Sequence, residues 1–181
     1  MIVLSGPSGV GKGTIAKELV KRDEKVKLSV SCTTRSPRAG EENGREYFFI
    51  TKSEFLEKKS NGGFLEYSEH FENMYGTPRD FVEESLKSKD VILEIDVNGG
   101  LKIKEVFPEA LLIMITPPSL EEIKNRLIKR STESLDKINL RMERIAYELE
   151  KAKDYDYSVI NDDLEEAVEK IRQIIKEEKE K

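Results

Sequence analysis

The stretch Gly6-Pro7-Ser8-Gly9-Val10-Gly11-Lys12-Gly13-Thr14 follows a short apolar run, Ile2-Val3-Leu4, and opens into a helix-like segment ending near Arg22. Strand, glycine loop and helix in that order leave few folds available. The spacing is that of a phosphate-binding loop: glycines let successive backbone N–H groups turn inward around a polyphosphate, and a lysine reaches the terminal phosphates. The helix start adds its own positive end to the same cavity. A glycine-rich turn that only caps a helix would leave the lysine and its spacing unexplained. One position departs from the pattern. Such loops place Ser or Thr directly after the lysine as a magnesium ligand, whereas here that residue is Gly13 and the hydroxyl comes one residue later, at Thr14. This predicts a water in place of the direct metal ligand.

Charged residues make up 37% of the 181 and nearly balance, 31 basic against 36 acidic, for a formal net charge of −5. That balance argues against a nucleic-acid or membrane-surface partner, which needs a basic excess, and leaves room for a local basic pocket. The length fits one domain with a sizeable core. Met1 leads straight into the first strand and no apolar run approaches the length of a membrane span, so the expectations are no signal peptide, no membrane segment and a cytoplasmic location. The single cysteine, Cys32, cannot form an internal disulfide, and the lone His70 cannot build a metal site. A small packed thiol and a polar loop residue are expected there.

Along the chain, Val26 to Val30 reads as a second strand, followed by a polar stretch, Ser31 to Arg38, expected outside the core. Tyr47 to Ile50 reads as strand, Thr51 with Glu54 as a capping box for a helix to about Ser60, and Phe64 to Ser68 as strand. Glu72-Asn73 signals a turn, and Thr77-Pro78 an N-cap with proline in the first turn of a helix to about Lys87. Val91 to Val97 reads as a buried strand carrying Glu94 and Asp96 on one face, with Asn98-Gly99-Gly100 turning into a short helix before Pro108. Leu111 to Ile115 reads as another buried strand. Ser119 with Glu122 starts a helix through Arg130, and a longer helix covers about Asp136 to Lys153. Tyr157 to Ile160 forms a last strand, and Asp162 caps a final helix whose Leu164, Val168, Ile171 and Ile175 share a face. The alternation indicates an α/β fold with a doubly wound parallel sheet, whose ligands collect beyond the carboxyl ends of the strands. About residues 31–79 break it with short strands and turns, as a small mixed lobe inserted into the main sheet.

Arg35 and Arg38 sit on a polar segment flanked by hydroxyls and followed by Tyr47. Planar guanidinium forks with one more phenolic donor suit a phosphate monoester. The segment Ser31-Cys32-Thr33-Thr34-Arg35-Ser36-Pro37-Arg38-Ala39-Gly40-Glu41, then Asn43-Gly44 and Tyr47-Phe48-Phe49, resembles the GMP-binding segment of guanylate kinases. The resemblance continues through Phe64-Leu65-Glu66-Tyr67, Met74-Tyr75-Gly76-Thr77-Pro78 and Leu93-Glu94-Ile95-Asp96-Val97-Asn98-Gly99, in order along essentially the whole chain. It implies a single domain of the phosphate-loop NTPase type: a core of about 1–30, 80–125 and 154–181, a GMP-binding lobe of about 31–79, and a helical lid of about 126–153.

The resemblance also implies the roles. Ser31, Glu66 and Asp96 become guanine readers, with Thr77 on the carbonyl side and Glu94 nearby. Arg35, Arg38, Tyr47 and Tyr75 hold the GMP phosphate. Lys12 and the amides of Gly6 to Thr14 hold the ATP phosphates, Asn161 stands on the adenine side, and Arg126, Arg130 and Arg141 close over the transferring group. Mg²⁺ is expected through nucleotide phosphates and water, near Thr14 and Asp96. Ser131 stands where the family has glycine, implying a differently hinged lid. Guanine fits such readers because its N1–H and amino group need acceptors, and adenine would leave buried acceptors unpaired; discrimination on the order of 10⁴ is within reach of such a site.

Other readings remain open at this stage. Lys12-Gly13-Thr14 is also similar to adenylate kinases and their relatives, which points to another nucleoside monophosphate kinase. A regulatory GTPase ranks lower, since no Asn-Lys-x-Asp motif occurs. The fold also serves as a non-catalytic scaffold domain in membrane-associated homologues, although those have typically lost a working phosphate loop. Oligomeric state is not legible.

Overall fold

The central strand β1, Ile2–Ser5, is buried along its whole length and pairs in parallel with β7, Asp90–Glu94, on one side and β8, Leu111–Thr116, on the other. With β2, Val26–Leu28, and β9, Tyr157–Ile160, at the edges, these make a five-stranded parallel sheet of order β2-β7-β1-β8-β9. Near-continuous Val, Ile and Leu in β1, β7 and β8 suit strands covered on both faces. The computed structural model describes the backbone of residues 1–70, 72–130 and 135–181, and the side chains of these except 70, 126, 127, 129, 130 and 135–139.

Helices cover both faces. On one, Ile15 and Leu19 of α1 (Lys12–Arg22) and Val168, Ile171 and Ile175 of α7 (Leu164–Lys179) pack against Ile2, Leu4, Ile113 and Ile115. On the other, Val82 of α3 (Arg79–Leu86) and Ile103 of α4 (Val97–Val106) pack against Val3, Leu93 and Met114. Each fully buried aliphatic side chain contributes about 1.5–3 kcal/mol, so these two layers hold the sheet.

A second, four-stranded sheet has the order β4-β3-β6-β5, formed by β3 (Ser31–Thr33), β4 (Tyr47–Phe49), β5 (Phe64–His70) and β6 (Asn73–Pro78). Its own small core joins Cys32, Phe64 and Phe55 of α2 (Lys52–Ser60), with the two rings stacked at 4.5 Å. The Thr51–Glu54 capping box forms as expected. The remaining elements are α5 (Leu120–Arg130), α6 (Leu135–Glu150) and a 3-10 turn, Lys151–Asp154.

Several expectations need correction. The stretch after β2 is not wholly outside the core: Ser31–Thr33 is a strand, with Cys32 and Thr33 buried. Thr77 does not cap a helix; it belongs to β6, Pro78 is the N-cap of α3, and the Thr77 hydroxyl is engaged elsewhere. Asp96 lies beyond strand β7 rather than in it, as the N-cap of α4, which starts at Val97 and contains both glycines. The last helix is capped by Asp163, whose carboxylate accepts from the Glu166 amide, not by Asp162. The helix expected over about Asp136 to Lys153 ends at Glu150, where the backbone tightens into the 3-10 turn. Ser131 lies outside the described residues, as does the His70 side chain.

Candidate functional site

Three carboxyl ends of the parallel sheet converge. β1 delivers the phosphate loop, β7 ends on Glu94 with Asp96 just beyond, and β9 leads into Asn161. The loop enters α1 through Gly11, whose φ of 100° is open to glycine and strained for other residues. A Cβ there would also stand 2.5 Å from the Asn161 amide nitrogen. That nitrogen donates to the Val10 carbonyl at 2.7 Å, and the Asn161 N–H donates to the Thr116 carbonyl, so β9 braces the loop from behind. The first turn of α1 carries no acidic residue, leaving its N–H groups and positive end for an anion.

Lys12 folds back over this loop, its Nζ donating to the carbonyl of Gly6 at 2.6 Å and of Pro7 at 3.3 Å. Burial pushes its ammonium below the ordinary lysine range; Glu94, Glu148 and Asp96 oppose that shift and Arg144 adds to it. Burial disfavours the charged form of this lysine, and a phosphate oxygen brought against Nζ would favour it again.

On the facing wall, β3 and β4 run parallel with Ser31 opposite Tyr47, and Thr33 pairs across to Tyr75 of β6. The Tyr47 and Tyr75 rings meet edge to face at 6.0 Å. The Arg35 guanidinium lies 5.5 Å from the Tyr47 ring and donates to Glu41 at 3.0 Å and to the Ser36 carbonyl. The other Glu41 oxygen accepts the Arg38 amide at 2.8 Å. One carboxylate thereby orients both arginine-bearing positions of this turn.

Glu66, which the sequence resemblance names as a guanine reader, owes its burial to strand pairing. A charge on a short strand suggests a solvated face, yet Glu66 is 5% exposed. Pairing of Phe64 with Pro78 and of Tyr67 with Gly76 leaves Leu65 and Glu66 together opposite Thr77, a β-bulge that re-aims the side chain. The Thr77 hydroxyl donates to Glu66 Oε1 at 2.6 Å. Burial pushes the carboxyl up to about 7, against the pull of Thr77, and the neighbouring Asp96 adds to the rise. Asp96 itself accepts the amides of Asn98 and Gly99 at 2.9 Å through Oδ1. A Cβ on Gly99 would lie 2.7 Å from Glu66 Oε2, so the absence of a side chain there lets two acids meet at the start of α4.

A cavity of about 380 Å³ joins these walls. Of the residues expected from sequence, Gly6, Ser8, Lys12, Ser31, Arg38, Tyr47, Glu66, Tyr75, Glu94, Asp96 and Arg141 line it. Thr77 is fully buried beside Glu66 and does not, and Arg35 stands next to it against Tyr47. Thr14 is exposed on α1. Arg126 and Arg130 fall on α5, with side chains outside the described residues. Sequence reasoning missed Ser68, Arg144 and Glu148, all lining the cavity. Arg144 and Glu148 follow Arg141 by three and seven residues, one helical face, and that spacing could have found them.

Two observations bear on a divalent ion. Among the described residues no group of three or more His, Cys, Asp or Glu forms a cage. The space beside Gly13 that a serine would use is taken by the Glu94 carboxylate, within 3.4 Å of where a Cβ would stand. This hard-oxygen set fits an ion held mainly by phosphates and water. Among the described residues, no helix is long and apolar enough to cross a membrane.

Comparison with known proteins agrees with this geometry. The family model described as guanylate kinase matches residues 1–178. The chain is 51% identical over 180 residues to the guanylate kinase of Caldanaerobacter subterraneus subsp. tengcongensis, covering 99% of this chain and 87% of the relative. It is 49% identical to that of Clostridioides difficile, covering 100% and 89%. The crystal structure of guanylate kinase from Anaplasma phagocytophilum superposes with a TM-score of 0.81 at 36% identity, over 100% of this chain and 86% of that one. Shikimate kinase from Bacteroides thetaiotaomicron, at 17% identity and a TM-score of 0.57 over 97% of each chain, shares the phosphate-loop kinase fold alone. A phosphate loop facing a pair of buried and half-buried acids, with a family match over nearly every residue, makes this chain a member of the guanylate kinase family, whose reaction is phosphoryl transfer from ATP to GMP.

Proposed function

We propose that this protein transfers the γ-phosphoryl group of ATP to GMP, and to dGMP, giving ADP and the corresponding diphosphate within purine nucleotide metabolism in the cytoplasm. The observation that carries this reading is Glu66: a buried carboxylate aimed into the same cavity as Lys12, with Asp96 beside it. Two acceptors at one end and a lysine-bearing anion cradle at the other match guanine and phosphate respectively. Ser31, Glu66 and Asp96 read the base, Thr77 orients Glu66, and Arg35, Arg38, Tyr47 and Tyr75 bind the acceptor phosphate. None of these groups is assigned to the sugar, which is why dGMP is included.

Lys12 and the amides of the loop bind the donor phosphates, with Asn161 bracing the loop. Glu94 and Asp96 are the protein groups that would face Mg²⁺, which when bound neutralises charge on the phosphate oxygens. Phosphoryl transfer passes through a loose transition state, so positioning and charge neutralisation do most of the work and no covalent intermediate is required. The parallel-sheet core carries the donor site, about 31–79 carries the acceptor, and about 126–153, with Arg126, Arg130 and Arg141, acts as the lid.

The test is ADP production from Mg-ATP with GMP, dGMP, AMP, UMP and CMP offered separately. Turnover confined to GMP and dGMP is expected. Turnover on AMP or a pyrimidine nucleotide would overturn the base readers, and GMP binding without turnover would favour a scaffold role.

A further inference from the structure

Strand β5 sends two polar side chains into the cavity, Glu66 and Ser68. Tyr67 between them faces outward, exposed, with the ammonium groups of Lys59 and Lys102 at 4.3 and 5.4 Å from its ring and its carbonyl accepting from Lys102. Side chains two apart on a strand share a face, so Glu66 and Ser68 are neighbours on this wall, separated by roughly 7 Å of backbone. Across the ladder Ser68 pairs with Tyr75, one step beyond the bulge that sets Glu66 against Thr77. The wall therefore runs from the acid assigned to the base to a hydroxyl standing opposite a tyrosine assigned to the acceptor phosphate. A nucleotide held by its base at the first position and its phosphate beyond the second lays its sugar across that step.

Resting on the function proposed above, we propose that Ser68 is a specificity-determining residue that hydrogen-bonds the ribose 2′-hydroxyl of the acceptor and so favours GMP over dGMP. A serine hydroxyl carries one donor and two acceptor lone pairs, so it pairs with a sugar hydroxyl in either sense. The 2′-hydroxyl is assigned because its carbon adjoins the one that bears the base, as Ser68 adjoins the base reader Glu66. Ser68 is half-buried, and a nucleotide lying over it takes away the water that its hydroxyl would otherwise use. A 2′-deoxy sugar offers nothing in return. Strand pairing on one side and Lys102 at the neighbouring carbonyl hold the position of this hydroxyl.

The experiment measures GMP and dGMP binding by calorimetry for the unmodified protein, Ser68→Ala, Ser68→Cys and Ser68→Thr, with nucleotide-free thermal unfolding in parallel. The unmodified protein is expected to bind GMP about three- to tenfold more tightly than dGMP, the size of one neutral hydrogen bond. Ser68→Ala should erase that margin through weaker GMP binding, with dGMP affinity held within about twofold and thermal unfolding unchanged. Ser68→Cys, close in shape but a much weaker donor, should follow Ser68→Ala, and Ser68→Thr, which keeps the hydroxyl, should retain most of the margin. Equal affinity of the unmodified protein for the two nucleotides overturns the proposal. So does a margin that survives Ser68→Ala, and so does a loss of the same size for both nucleotides, which is what a serine that only shapes the strand or supports the base reader would give. Failure of the kinase reading shows separately: GMP binding without GMP-dependent turnover removes that reading and leaves the comparison of the two sugars standing.

Discussion

Glu66→Gln tests the site where its chemistry conflicts with stability. The Glu66 carboxyl titrates at about 7 in the folded protein against an ordinary 4.5. Between those values the folded chain binds more protons than the unfolded one, so stability falls as pH rises through the window and is flat above it. The full separation, 2.5 units at about 1.4 kcal/mol each, corresponds to roughly 3 kcal/mol of lost stability at alkaline pH, of which about 2.5 kcal/mol falls between pH 5 and pH 8. Glutamine keeps the shape and an acceptor for the Thr77 hydroxyl without the charge. In urea unfolding without nucleotide, the stability of the variant relative to the unmodified protein should rise by about 2.5 kcal/mol from pH 5 to pH 8. The same substitution should lower kcat/KM for GMP by about 10² or more, because the Gln amide presents N–H donors to a base edge that also donates. A stability difference that does not change with pH would refute the assignment of a buried, ionising carboxylate at this position.

Lys12→Ala is expected to reduce turnover by on the order of 10³ while GMP still binds, read as kcat against a GMP titration; near-normal turnover would remove Lys12 from the mechanism. For the unmodified protein, KM for GMP should fall as pH rises through about 7, where Glu66 becomes ionised. Thr77→Val removes the hydroxyl that holds the Glu66 carboxyl down, so the midpoint of that profile should move to higher pH; an unmoved midpoint would detach Thr77 from the reader. Gly99→Ala suits its helix but pushes Glu66 Oε2 away from its place at 2.7 Å, so GMP affinity should drop with thermal stability nearly kept. Equal losses of MgADP and GMP binding would show that the change spreads beyond the reader.

The parts of the fold legible in the sequence are those set by neighbouring residues. The run from β1 through the glycine loop into α1 is one such part, as are the Thr51–Glu54 box and strand β9, because spacing within a few residues fixes each of them. What escaped depends on pairing across the chain. Glu66 is buried because β5 carries one residue more than β6 opposite Thr77, a register fact that no local window contains. The same contact takes the Thr77 hydroxyl away from the helix it was expected to cap. Asp96 reads as strand because Ile95 and Val97 flank it, yet its carboxylate binds the amides two and three residues on and begins a helix instead. Between Asp162 and Asp163 the capping pattern is ambiguous, since each has a glutamate three residues on, and the backbone chose the later one. Arg144 and Glu148 look like an ordinary exposed i,i+4 pair until α6 is laid against the phosphate loop.

On the function proposed above, the charged groups of the cavity let one pocket serve both recognition and transfer. Glu66 and Asp96 line it from β5 and the start of α4, and Lys12, Arg141 and Arg144 from α1 and α6, where Glu94 and Glu148 stand among them. In the proposed pose the N–H donors of guanine meet Glu66 and Asp96 and the acceptor phosphate meets Arg38, Tyr47 and Tyr75, so a molecule entering reversed would set phosphate against two acids. On the same reading, the cost of keeping Glu66 charged while buried is what makes it discriminate between bases. AMP would place a lone pair where guanine has N1–H, leave that buried carboxylate with the Thr77 hydroxyl alone, and forfeit the compensation that only guanine supplies. A less buried glutamate would make the free protein more stable and the rejection of adenine weaker, because solvent would then repair the missing hydrogen bond.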